Sequence, residues 1–199
     1  MSKYMIYDIS ANGKPKDYNA PFSDTFSWPR MLHISWIILD EELKLVDDYD
    51  CIVKPDGFTI DEKMQKMVHL DNEDIESKSL PLEDILNQFD KSVKTVEYTI
   101  CHNLNSQQNI LAAEYIRKNR QPQHFQTEGV CLMREATYFC KLPNKRGGYK
   151  WPSLQELYAT LFNQKFTPSN NARADTIAAT RSFKKLMLLG ELQDVFDDE

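Results

Sequence analysis

Apolar and polar positions change period several times along the chain, and each change marks a predicted element. Tyr4 to Ile9 is a short apolar run that ends at Asp8-Ile9-Ser10 and is followed by Asn12-Gly13. It predicts a buried strand running into a loop. Lys14 to Arg30 has no periodicity and carries Pro15, Pro21 and Pro29. It predicts a long connection, and long ordered connections are often functional. Met31 to Leu39 is rich in β-formers (Ile34, Trp36, Ile37, Ile38), Asp40-Glu41-Glu42 turns the chain, and Leu43 to Lys54 returns as a partner strand. The opening of the chain is therefore expected to be a three-stranded antiparallel meander.

Past Pro55-Asp56-Gly57 the pattern turns helical. Leu82, Ile85, Leu86, Phe89 and Val93 fall at i, i+3, i+4, i+7 and i+11, one face of an amphipathic helix. Val96 to Cys101 reads as a short strand, and Asn105 to Lys118 as a helix burying Ile110, Leu111 and Tyr115. Val130 to Met133 reads as a fifth strand. Ser153-Leu154-Gln155-Glu156 is a capping box opening a helix with Leu154, Leu157, Tyr158 and Leu161 on one face. A last helix is expected from about Ala174 to Leu189, burying Ala179, Phe183, Leu186 and Met187 and stopped by Gly190. Residues 1–190 are expected to form a single domain, and 191–199 an acidic, frayed tail. Three antiparallel strands followed by alternating helices and strands predict an α/β domain, a mixed sheet with helices on its faces.

Composition narrows the function classes. The 199 residues are 41% hydrophobic and 27% charged, with a formal net charge of −6. That is an ordinary globular balance. It argues against a protein that coats nucleic acid by bulk phosphate neutralisation, though a local groove for a strand end remains compatible with it. No signal-peptide pattern opens the chain, and no apolar run reaches the ~20 residues of a membrane helix. The four cysteines (Cys51, Cys101, Cys131, Cys140) are isolated in sequence and read as reduced core thiols, from which a cytoplasmic location is expected.

Three separated segments carry the candidate chemistry: Tyr7-Asp8-Ile9-Ser10-Ala11-Asn12-Gly13, Cys101-His102-Asn103-Leu104-Asn105-Ser106-Gln107, and Asn170-Asn171-Ala172-Arg173-Ala174-Asp175. Trp28-Pro29-Arg30 and Lys145-Arg146-Gly147-Gly148-Tyr149-Lys150-Trp151-Pro152 add to them. Their order and placement resemble the DEDDh-type 3′–5′ exonucleases of the proofreading-exonuclease superfamily, in a bacterial form, over roughly residues 4–189. The resemblance implies an RNase H-like mixed five-stranded sheet, three antiparallel strands then two parallel, flanked by helices. It also implies a lineage of phosphodiester hydrolysis by two divalent ions held by four carboxylates.

Against that lineage this chain is degenerate. Asp8 is kept, but Ser10 stands where the family has glutamate. Gln107 stands at the next aspartate, Ser106 at a usual phenylalanine, and Asn170 at the catalytic histidine, while Asp175 is kept. Mg²⁺ is a hard cation that binds through carboxylates and phosphate. With two of four carboxylates left, the resemblance implies at most one weakly bound Mg²⁺ or Mn²⁺ at Asp8 and Asp175, and no other cofactor. A positioned base contributes about 10²–10⁴ in rate, and Asn170 cannot take a proton at neutral pH. Absence of meaningful exonuclease activity is the expectation. A nuclease using substitute carboxylates would have to recruit Asp17 or Asp24 from the early loop.

The nucleic-acid-binding candidates are His102, Asn103, Lys145, Arg146, Tyr149 and Lys150. Taken alone, His102 reads as a satisfied loop histidine, and Asn103 and Asn105 as turn or cap residues. Cations interleaved with Tyr149 and Trp151 suit a single strand; the plainer reading is a solvated loop with Trp151 plugging the core. Tyr18, Phe22, Phe26 and Trp28 are expected to fold their loop back onto the core, the alternatives being a cover over the old site or a partner surface. Expected partners are a single-stranded nucleic acid or its 3′ end, or a protein, and no membrane; the remaining alternative is a structural or interaction module without nucleic-acid contact.

Overall fold

The structure, a computed structural model, describes residues 2–196. Strands β1 (Ser2–Ala11), β2 (Met31–Asp40) and β3 (Leu45–Ile52) form the antiparallel meander. Three helices follow, α1 (Glu62–Val68), α2 (Asn72–Lys78) and α3 (Leu82–Val93). The crossover lets β4 (Tyr98–Cys101) lie parallel to β1. Helix α4 (Leu104–Arg117) then leads to β5 (Glu128–Cys131), parallel to β4, so the sheet order is β3-β2-β1-β4-β5. The chain ends in α5 (Leu132–Glu135), α6 (Thr137–Cys140), α7 (Leu154–Phe162), α8 (Ala172–Leu188) and α9 (Gln193–Phe196). This is the expected mixed five-stranded sheet with helices on its faces.

Strand alternation sorts the core and aims the site. Odd positions of β1 (Met5, Tyr7, Ile9) pack with Trp36, Phe89 and Tyr115, against α3 and α4. Even positions Tyr4 and Ile6 pack with Leu157, Phe183 and Leu186, against α7 and α8. A central strand covered on both faces needs apolar residues on both, hence the continuous run. The even row continues into Asp8 and Ser10, both buried, so the two polar side chains fall on the α8 face at the strand's end.

The early connection is stapled to α4. Glu114, fully buried, accepts hydrogen bonds from Arg30 Nε at 3.0 Å and from the Met31 backbone N–H at 2.8 Å, and pairs with Arg117 at 3.0 Å. Arg117 also donates to the carbonyls of Thr25 and Trp28 at 2.6 Å each. Trp28 is buried, as expected of a loop folding back, but Tyr18 and Phe26 stay exposed.

Three expectations need correction. The fifth strand is Glu128–Cys131, and Leu132–Glu135 is helical. Of the tail expected to fray, Gln193–Phe196 form α9, with Leu192 and Phe196 buried and Phe196 edge-on to Tyr4 and Tyr98 at 5.3 and 4.9 Å, while residues 197–199 lie outside the described residues. Trp151 does not plug the core; it is 57% exposed. Cys51, Cys101 and Cys131 are buried and Cys140 is half-buried, all unpaired. Among the described residues no helix is long and apolar enough to cross a membrane.

Candidate functional site

Three element ends meet over the C-terminal end of β1. The first is β1 itself, with Asp8 and Ser10. The second is the turn from β4 into α4: Asn103 takes the left-handed conformation (φ 64°) that lets the strand break into a helix, and its amide donates to the Ser106 hydroxyl at 3.1 Å. The third is the start of α8, where the Asn171 side chain accepts from the Ala174 N–H and caps the helix. Asn170, one residue earlier, is also left-handed (φ 64°). Together they enclose a cavity of about 370 Å³ that holds Asp8, Ser10, His102, Asn103, Ser106, Gln107, Asn170 and Asp175. Lys14, Tyr18 and Met67 complete its walls.

The polar groups of this cavity largely satisfy one another. The Gln107 amide donates to Asp8 Oδ1 at 2.9 Å. The Ser10 hydroxyl donates to the Asn170 carbonyl at 3.0 Å. His102 Nε2 meets the Pro152 carbonyl at 3.0 Å, so the ring is held as the Nε2–H tautomer. Two buried atoms have no partner within the protein, Gln107 Oε1 and His102 Nδ1.

Burial sets the protonation states. Asp8 is held well above the usual carboxylate range, first by burial and then by the charge of Asp175, against the pull of a hydrogen bond from the Ile9 backbone. Burial pushes Asp175 up to about 7, opposed by a backbone hydrogen bond from Asn170. His102 is driven down to about 4 by burial, so it is neutral at physiological pH. Both acids of the cavity are thus held above the ordinary carboxylate range, and each is a weaker anion there than in water.

This donor set does not fit a pair of Mg²⁺ ions. Among the described residues no group of three or more His, Cys, Asp or Glu side chains comes together as a cation site. Asp8 and Asp175 are, among the described residues, the only carboxylates lining the cavity, and Ser10 and Gln107 offer neutral oxygens, already engaged or without charge. Neutral ligands do not offset two dications and a phosphate. Asp17 and Asp24 give no help: Asp17 accepts from the Asn19 N–H, Asp24 from the Phe26 N–H and the Ser27 hydroxyl, and neither lines the cavity.

Of the residues proposed from sequence, Asp8, Ser10, His102, Asn103, Gln107, Asn170 and Asp175 meet in this one cavity. Lys145, Arg146, Tyr149 and Lys150 do not reach it. They sit on an exposed hairpin closed by the Pro143–Tyr149 bridge and the Lys150 N–H to Leu142 carbonyl bond (2.9 Å), with Lys150 paired to Glu156. The sequence pattern does not place Lys14 or Met67 in the walls, and Tyr18 stands there as the alternative of a loop covering the site, rather than folded onto the core. All three lie in stretches without periodicity or at helix ends, and only tertiary contacts bring them in.

No protein-family model matches the chain, and no curated protein matches it in sequence. Solved structures match it in shape. E. coli exonuclease I in complex with a dT13 oligonucleotide gives a TM-score of 0.72 at 14% identity over 99% of this chain and 43% of that one. The zinc-ion-bound form of the E. coli exonuclease I complex with single-stranded DNA gives 0.73 at 13% identity, covering 98% and 43%. A third exonuclease I structure, described as suggesting how processivity is achieved, gives 0.74 at 13% identity with the same coverage. The chain thus spans less than half the length of the structures it resembles. At this identity the likeness establishes the fold, an RNase H-like mixed sheet of the exonuclease I type.

Proposed function

We propose that this chain is an exonuclease-fold protein that holds the end of a single-stranded nucleic acid in the Asp8–Asp175 cavity without cleaving it. One observation carries the reading: Gln107, at a position where the resembling family has a carboxylate, donates its amide to Asp8. A residue that satisfies Asp8 through its own N–H takes up the oxygen that would otherwise face a cation. Ser10 and Asn170 remove the remaining anionic ligand and the base. Support for a strand end comes from the shared fold, since E. coli exonuclease I has been crystallised with oligonucleotides. The cavity's lining carries two carboxylates, Asp8 and Asp175, and the cation Lys14, which lowers the repulsion a phosphate would meet relative to four carboxylates.

The test is restoration. Wild-type protein is expected to leave an end-labelled single strand intact in Mg²⁺ or Mn²⁺. The combined variant Ser10→Glu, Gln107→Asp, Asn170→His is expected to trim it progressively from the 3′ end. Trimming by the wild type that Asp8→Ala abolishes would overturn the reading.

A further inference from the structure

We propose that a second groove beside the Asp8–Asp175 cavity is a base-stacking subsite for single-stranded nucleic acid, built on Trp151, Tyr18 and Arg134. The proposal rests on the strand-end reading above and extends it to residues outside the degenerate motifs. The groove has a volume of about 570 Å³ and shares Tyr18, Asn103 and Ser106 with the cavity, so the two adjoin. A strand whose end lies at Asp8 meets this groove next.

The lining chemistry suits a nucleotide. Two aromatic rings stand free, Trp151 at 57% and Tyr18 at 50% exposure. Among the described residues Arg134 is the only charged side chain lining the groove, and its guanidinium lies 5.5 Å from the Trp151 ring centroid. The amides of Asn105 and Gln108 add donors and acceptors. Flat π-faces beside a cation and amides match bases, a phosphate and base edges. Leu104, Cys131 and Met133 add apolar surface to the groove, and the amides, cation and rings set among them favour a nucleotide over a wholly apolar ligand.

The indole is held outward by its surroundings. One residue before it, the Lys150 N–H is bound to the Leu142 carbonyl at 2.9 Å, closing the hairpin. One residue after it, the Pro152 carbonyl is bound by His102 at 3.0 Å, and Ser153 then caps α7. Trp151 is thus held partly in water between two anchors, where its apolar surface is not covered by the core. A bound base covers that surface. The anchor through His102 also ties the groove to the turn that walls the first cavity.

Tryptophan fluorescence gives a direct reading, because Trp28 and Trp36 are buried and only Trp151 of the three faces solvent. A short oligothymidylate and a short oligouridylate are titrated into the full chain, with anisotropy of a labelled strand followed in parallel. Quenching is expected to saturate with the same midpoint as anisotropy. Trp151→Ala is expected to weaken binding roughly 5- to 100-fold, one stacked base's worth. Trp151→Phe keeps part of the affinity, and Arg134→Gln lowers both affinity and its salt slope. Unchanged circular dichroism in the variants separates loss of contact from loss of fold. No binding of either oligomer by the wild type would overturn the strand-end reading and this subsite with it. Binding that Trp151→Ala and Arg134→Gln leave unaltered, without quenching, would overturn the subsite alone. So would equal quenching by an abasic phosphodiester strand, which excludes stacking, or by an acidic peptide, which assigns the groove to a protein.

Discussion

Replacing Asp175 with asparagine removes one of two acids that the fold packs into the same buried cavity and leaves its shape nearly unchanged. Burial raises Asp175 from its ordinary 3.8 to about 7. The folded chain therefore holds this proton more tightly than the unfolded chain does. Between those two values the native state binds more protons, so stability falls as pH rises from about 4 to about 7 and is level beyond. Asparagine mimics the protonated acid and lacks this loss. Three tenfold steps in proton affinity, at about 1.4 kcal/mol each, set an upper bound of roughly 4 kcal/mol. Asp175 is partly exposed, and solvent screening reduces the expected gain to roughly 1–3 kcal/mol. Asp8 adds to the same trend, because removal of the Asp175 charge relieves one of the two causes that raise it. Urea unfolding followed by circular dichroism measures the difference. Asp175→Asn is expected to match wild type near about pH 4 and to exceed it by that margin near about pH 8. A variant no more stable than wild type at the higher pH, or a gain independent of pH, would refute the reasoning.

Further outcomes follow from the scaffold. Glu114→Gln leaves the Arg30 and Arg117 guanidiniums facing a neutral amide in the interior, and is expected to destabilise by about 3 kcal/mol in chemical denaturation. A loss below about 1 kcal/mol would mean that the early loop is held by packing rather than by this carboxylate. Ser153→Ala breaks the reciprocal capping box with Glu156 at the start of α7, with an expected cost of about 1 kcal/mol and an unchanged urea slope. A larger loss accompanied by a changed slope would show that the Pro152–Ser153 turn supports more of the fold than its own helix.

Much of the fold was legible because period and burial agree. The helical face from Leu82 to Val93 is buried at Leu82, Ile85, Leu86, Phe89 and Val93. The capping box at Ser153 is present with both hydrogen bonds. The fifth strand was misplaced because Val130, Cys131, Leu132 and Met133 are equally apolar. What ends the strand is its partner: β4 is four residues long and pairing stops at Cys101 with Cys131. Its start includes Gly129, where a Cβ would lie 2.8 Å from the Gln108 amide nitrogen and 2.9 Å from Leu104, so the side chains of α4 would have to shift to admit a larger residue there. The tail was misread because its acidic residues masked Leu192, Val195 and Phe196, spaced for one helical face. Within the candidate site, period two put Asp8 and Ser10 on one face of β1, whereas only the family resemblance, and no local pattern, grouped Gln107 and Asp175 with them. The exposure of Trp151 was not legible. An aromatic after a basic loop reads equally as a core plug, and the tertiary bonds on either side of it, Lys150 to Leu142 and His102 to Pro152, are what hold it outward.

The central claim is that the cavity binds a strand end and does not cut it. A single tube tests both halves: an end-labelled single strand with a free 3′ hydroxyl, saturating wild-type protein and Mn²⁺, read by anisotropy for binding and by denaturing gel for length. The account predicts strand that is bound and still full length after prolonged incubation. A ladder of products shortened from the 3′ end and stopped by Asp8→Ala would contradict it, as would a strand that never binds.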